Sequence, residues 1–84
     1  MKYTAQIKIM PLKELLDPQG KAVAGGLKNL GLHQVADIRI GRHISLTLNA
    51  DTEEEAGEIV KDACEKLLVN RVMEYYEYDL SPAG

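Results

Sequence analysis

A single cysteine, no phenylalanine or tryptophan, and no long apolar run mark this 84-residue sequence, and each shortage closes off a class of protein. One thiol, Cys64, cannot form an intrachain disulfide, so the chain is not a disulfide-stapled secreted scaffold. It is also one thiolate short of the pair that a metal-carrying loop would need. Without Phe or Trp, the expected central strands offer Ile38, Ile40, Ile44 and Leu46 in place of the aromatics on which RNA-recognition modules stack bases. No segment approaches the roughly 20 apolar residues of a membrane-spanning helix. The opening Met1 to Gln6 alternates polar and apolar residues instead of forming the apolar core of a signal peptide. A reducing, cytoplasmic setting is expected. The net charge of −3 argues against broad contact with a phosphate backbone, which needs clustered basic surface.

The length supports one hydrophobic core and therefore one domain, 1–84, with residues 81–84 expected to fray. So small a core favours extra burial through self-association, as a dimer or a higher even oligomer. Charge is unevenly spread. Residues 1–50 carry seven basic and three acidic groups, and residues 51–84 carry three basic and ten acidic. This reads as attraction between a basic first helix and an acidic second one, or else as an acidic patch for a partner.

Tyr3, Ala5, Ile7 and Ile9 alternate with Thr4, Gln6 and Lys8, a period of two that predicts a half-buried strand ending at Pro11. Asp17-Pro18 is a helix start: Asp accepts from the first free N–H groups, and Pro has no N–H to leave unpaired there. Val23, Leu27 and Leu30 give the helix one apolar stripe, and Gly31 closes it in a left-handed cap. Gly25 and Gly26 sit mid-helix at a cost of about 1 kcal/mol each, which implies close approach to the sheet or to a neighbouring chain.

Ala36, Ile38 and Ile40, then Ile44, Leu46 and Leu48, predict two strands joined by a hairpin at Gly41 to His43. Thr52 and Glu55 have capping-box spacing, with Asp51 competing as N-cap, and Ala56, Ile59, Val60, Ala63, Leu67 and Leu68 form the apolar side of a second helix. Val72 to Leu80 predicts a last strand. The expected fold is α+β, a ferredoxin-like β-α-β-β-α-β with a four-stranded antiparallel sheet and two helices on one face. The uncovered face would carry Thr4, Gln6, Lys8, Asp37, Arg39, Ser45 and Thr47, a wet surface.

Catalytic chemistry finds no foothold. His33 and His43 have no second ligand or carboxylate at a recognisable spacing, no serine sits in a nucleophile elbow, and no Gly-rich phosphate loop follows a strand. Cys64 lies at an apolar helical position and reads as a buried, inert thiol. Glu53 to Glu55 read as a solvated helix start. No catalytic, cofactor-binding or metal-ligating residue is assigned.

The stretch Leu16-Asp17-Pro18-Gln19-Gly20-Lys21-Ala22-Val23 resembles the PurS subunit of formylglycinamide ribonucleotide amidotransferase, also called phosphoribosylformylglycinamidine synthase. The similarity continues through Leu30-Gly31, the turn Arg39-Ile40-Gly41-Arg42, and Cys64 to Asn70 leading into Val72-Met73-Glu74-Tyr75-Tyr76. Arg71 departs from the proline often found there in the family. The resemblance implies a homo-oligomeric small subunit that bridges a glutaminase subunit and a large synthetase subunit in purine biosynthesis. ATP and Mg²⁺ would belong to the synthetase, with no cofactor on this chain, no nucleic acid and no membrane. It further suggests Asp17, Gln19, Gly20, Arg39, Gly41 and Arg42 as partner-docking residues; the same residues also fit plain capping and turn chemistry. Arg39 and Arg42 are expected to be dispensable for the core. A ligand-sensing module of the ACT type shares the strand order, but its Gly-rich ligand turn is replaced by Asp17-Pro18-Gln19. An acylphosphatase-like enzyme would need an arginine-bearing anion loop after the first strand, and Met10 to Leu16 has none.

Overall fold

In a computed structural model of the chain, which describes residues 1–13 and 17–83, the alternating segments form a three-stranded antiparallel sheet. Strand β1 (Lys2–Pro11) lies in the centre, flanked by β2 (Arg42–Asn49) and β3 (Glu74–Pro82). The registers Ala5↔Leu46 and Ala5↔Leu80 put the apolar residues of all three strands on one face. Helix α2 (Glu53–Ala63) packs on that face over β1 and β3. Ile7, Ile9, Val60 and Cys64 are fully buried between them. The other face is open and polar. Thr4, Gln6, Lys8, Ser45 and Thr47 lie there as expected, with His43 Nε2 2.6 Å from Gln6 Oε1 and Gln6 Nε2 donating to Ser45 Oγ at 3.2 Å.

Three expectations need correction. The fourth strand is absent among the described residues: 35–41 forms no ladder, and its Ile40 N–H and Arg39 side chain bond instead to Asp17 and to the end of β1. There is accordingly no Gly41–His43 hairpin, His43 belongs to β2, and Asp37 and Arg39 leave the sheet face. The tail is not frayed up to residue 83. Ser81 and Pro82 pair with Thr4 and Tyr3, and the Ala83 N–H donates to the Lys2 carbonyl at 2.8 Å; Gly84 lies outside the described residues.

The helix termini follow their sequence signals. Helix α1 (Pro18–Asn29) starts at Asp17, whose Oδ1 accepts from the Gly20 N–H at 3.0 Å. It ends in a Schellman turn, with Gly31 at φ 84° and the Leu32 N–H donating to the Leu27 carbonyl at 3.0 Å. Thr52, not Asp51, caps α2 by accepting from the Glu55 N–H at 3.1 Å. Helix α2 runs into a π-helical turn, Cys64–Leu68, closed by the Val69 N–H on the Cys64 carbonyl. The two helices do not pair as their charges suggested, since α1 has no extensive packing partner among the described residues. The molecule measures 52 × 28 × 14 Å with a radius of gyration of 16.6 Å. A compact domain of this length would have about 12 Å.

Candidate functional site

The two most distinctive stretches of the sequence, Asp17 to Gly20 and Arg39 to Arg42, meet at one end of the sheet. Asp17 joins them. While Oδ1 caps α1, its Oδ2 accepts the Ile40 N–H at 2.9 Å. These two N–H groups, Gly20 first and then Ile40, hold the Asp17 carboxyl below its ordinary value, with the Arg39 charge adding to the effect. Gly20 is buried, with its Cα against the Ile38 carbonyl, and Gly41 lies against the Ile9 carbonyl and the Met10 sulfur. Each position therefore requires glycine for close approach of backbone.

Arg39 turns back onto the end of β1. Its Nη1 donates to the Lys13 carbonyl at 3.2 Å, and its Nη2 to those of Pro11 and Leu12 at 3.1 and 2.6 Å. One guanidinium thus joins the segment before β2 to the end of β1 as a single clasp, so Arg39 is not a free surface side chain. Arg42 is more exposed. Its Nη2 pairs with Glu74 Oε1 at 2.7 Å and reaches the Leu68 carbonyl at 3.1 Å, tying β2 to the π turn and to β3. Glu74 Oε1 also accepts the Asn70 N–H at 2.9 Å.

A cleft of about 410 Å³ opens between these elements, lined by Pro18, Gln19, Ile40, Gly41, Arg42 and Met73 among others. Its floor is apolar and its rim carries the Arg42–Glu74 pair. Of the six residues singled out, Asp17, Gly20, Arg39 and Gly41 build the clasp. Gln19 is exposed at the start of α1 and Arg42 is half-exposed, so these two present side chains to the cleft. Asn70, Met73 and Glu74 were missed as part of the site, because their contribution depends on β3 returning beside β1. Leu16 lies outside the described residues.

Past the cleft, Arg71 occupies the place of the family's frequent proline. Its Nη1 lies 3.1 Å from Glu65 Oε2, and its guanidinium lies 5.5 Å from the centroid of the Tyr76 ring. The Tyr76 hydroxyl donates to the same Glu65 oxygen at 2.8 Å. Partial burial, then this bond, push Tyr76 up to about 12, so it stays a donor throughout the neutral range. The buried Cys64 thiol is also pushed up, by desolvation and then by Glu65, as an inert thiol should be.

The chain matches the family model "PurS: Phosphoribosylformylglycinamidine (FGAM) synthase" over residues 4–82. The chain belongs to the PurS family. It is 36% identical over 78 residues to the phosphoribosylformylglycinamidine synthase subunit PurS of Bacillus subtilis, covering 93% of this chain and 92% of that one. The fold superposes on Thermus thermophilus PurS with a TM-score of 0.86 and 39% identity, each chain covered completely. A chain in the structure of PurLQS from Thermotoga maritima gives a TM-score of 0.89 at 34% identity, covering 96% of this chain and 99% of that one. The ACT-type alternative gains no support from these relatives.

The clasp carries a pH dependence. A carboxyl whose folded value is lowered stabilises the fold above its unfolded value, near pH 4, and the stabilisation is lost as pH falls through the lowered folded value. Asp17→Asn removes that titration and sets an amide N–H₂ against one of the two backbone donors. The expected result is a lower melting temperature at pH 7 and a shallower loss of stability below pH 4 than in the wild type. Thermal melts from pH 7 to pH 2 measure both, and identical acid slopes would show that Asp17 does not link the two loops.

Proposed function

We propose that this chain is the small, non-catalytic PurS subunit of a phosphoribosylformylglycinamidine synthase, a glutamine-dependent carbon–nitrogen ligase of purine biosynthesis. The observation that carries the reading is the match to the family over residues 4–82, together with the 0.89 superposition on a chain of the PurLQS structure. On this reading it bridges a glutaminase subunit and a synthetase subunit in the cytoplasm. ATP and Mg²⁺ are held by the synthetase. The physical need is plain: free ammonia is largely protonated near neutral pH and is then no nucleophile, so its source and its acceptor must be held together and shielded from water.

The chain also self-associates in this proposal, since a 14 Å slab with a one-helix layer has little core of its own. Docking of a synthase subunit is assigned to the cleft bounded by Asp17, Gln19, Gly20, Arg39, Gly41 and Arg42. The apolar floor supplies burial, while Gln19 and Arg42 supply polar recognition at the rim.

Gln19 separates docking from folding, because its side chain makes no hydrogen bond among the described residues and is exposed. Gln19→Arg should leave the melting temperature and oligomeric state unchanged. It should raise the chain concentration needed for half-maximal glutamine-dependent synthesis by about tenfold or more. Synthesis from ammonium by the synthetase subunit should persist, and the chain alone should turn over neither glutamine nor ATP. A reconstitution titration with each nitrogen source checks this; an unchanged glutamine titration moves the docking site away from the cleft.

A further inference from the structure

We infer that the double turn following α2, residues 64–73, is a second docking surface, and that it receives an acidic, apolar-faced segment of the same synthase subunit that fills the cleft. The choice of subunit rests on the docking role proposed for the cleft; the double turn adds where the footprint continues and which chemistry the partner brings to it.

Leu67 is 84% exposed and Val72 81%, the two highest values among the large apolar residues described. Both belong to one compact structure. The Val69 N–H closes the π turn on the Cys64 carbonyl at 3.0 Å, and the Asn70 carbonyl accepts the N–H groups of Met73 and Glu74 at 3.0 and 2.7 Å. The Arg71 pair with Glu65 draws the second turn against the first. Cys64 and Val69 take the inward places in these turns, so the chain's own core has no position for Leu67 or Val72. In a continued α-helix Leu67 would share the buried face of Cys64, three positions back. The wider π turn rotates it outward, in a form of helix found frequently at functional sites.

Charge states what the partner must bring. Three ion pairs surround the double turn, and in each the cation is the more exposed member: Arg42 52% against 22% for Glu74, Arg71 53% against 37% for Glu65, and Lys66 over Asp62. Two of the acids are occupied from within. Glu74 Oε1 takes the Asn70 N–H besides Arg42, and Glu65 Oε2 takes the Tyr76 hydroxyl besides Arg71. The arginines are only half used, since among the described residues Arg42 bonds through Nη2 and Arg71 through Nη1. The rest of each fork is free to take a second carboxylate. The chain carries a net charge of −3, yet here its basic groups face outward around an apolar centre. Such a surface fits apolar side chains flanked by Asp or Glu.

Continuity with the cleft selects the subunit. Met73, itself half-exposed, lines the cleft and stands next to Val72 in the double turn. Arg42, at the rim of the cleft, reaches the Leu68 carbonyl at the end of the π turn at 3.1 Å. A body seated in the cleft therefore meets the double turn as well.

Opposite charges placed at one position test the inference. Leu67→Asp and Leu67→Lys both remove the exposed leucine, and both should melt and self-associate as the wild type does. Each is titrated into the complete complex, with the synthetase or the glutaminase labelled in turn, beside Gln19→Arg. Leu67→Asp should weaken assembly about tenfold or more, Leu67→Lys much less, and the labelled subunit that is lost should be the one lost with Gln19→Arg. Equal losses for the two variants, or a larger one for lysine, would overturn the acidic partner. Wild-type assembly by both Leu67 variants, with a loss in Gln19→Arg, would overturn the inference and leave the cleft reading standing. Losses at Leu67 with none in Gln19→Arg would refute the cleft reading, and with it the shared footprint. A Leu67→Asp chain that no longer self-associates would assign the double turn to contact between copies and overturn its role toward a synthase subunit.

Discussion

Gly41→Ala is expected to lower the melting temperature by about 12–24 °C. A Cβ at Gly41 would meet the Ile9 carbonyl oxygen and the Met10 sulfur. The sulfur can swing away, but the carbonyl belongs to the central strand and is held by its ladder. Relief therefore has to come from moving the start of β2, and with it the Ile40 bond to Asp17. Overpacking of this kind costs about 3 kcal/mol, and each kcal/mol is about 4–8 °C in a domain of this size. Gly20→Ala should act similarly, because its Cβ would press on the Ile38 carbonyl from the other side of the same clasp. Gly25→Ala is the control. Outside its own helix, no atom of the described residues lies within 4 Å of a Cβ at that position, which is mid-helix, so a gain of about 0.5–1 kcal/mol in the melt is expected. Similar melting temperatures for the Gly41 and Gly25 variants would show that the loops do not approach as closely as described.

The contrast between these glycines shows what sequence could and could not reveal. The strands of Tyr3 to Ile9 and Ile44 to Leu48 were legible because alternation encodes one buried face, and the ladder preserves it. The caps at Asp17, Gly31 and Thr52 were legible because each is a local bond between neighbours in the chain. Ala36, Ile38 and Ile40 alternate equally well and yet form no strand. Alternation states where a side chain would face, but not whether a partner strand is there to take its backbone groups. Here Asp17, distant in sequence, claims the Ile40 N–H. Ser81 and Pro82 failed in the opposite direction. Their composition looks like a tail, but β1 is long enough to pair with them. Of the site, the two distinctive stretches were visible, but their meeting was not. A glycine needed for backbone contact looks the same in sequence as a glycine needed for a turn.

Arg39 presents the same ambiguity, and Arg39→Ala should resolve it. In sequence it follows Ile38 on the polar side of an apparent strand, where truncation would be nearly neutral. In the structure its guanidinium donates to the carbonyls of Pro11, Leu12 and Lys13, and none of these could bond an alanine. Bonds from a charged donor are worth about 1.5–3 kcal/mol each, but the Lys13 carbonyl is exposed and regains water when the side chain is cut away. The bonds to Pro11 and Leu12 are partly buried and share one nitrogen, so a net loss of about 2–3 kcal/mol is expected, or about 8–24 °C in the melt. Arg39→Lys should recover part of this, since an ammonium can reach the same carbonyls but lacks the planar fork that spans them. Removing the charge also relaxes the downward pull on Asp17, so the alanine variant should lose less further stability than the wild type as the solution is acidified from about pH 4 to pH 2. Thermal melts at pH 7, pH 4 and pH 2 measure both effects. A docking role would show differently: the variant would melt as the wild type does and fail in glutamine-dependent reconstitution. A variant that melts early, yet supports full synthesis at saturating concentration below its melting temperature, would establish Arg39 as the residue that holds the cleft in shape and leave partner contact to Gln19 and Arg42.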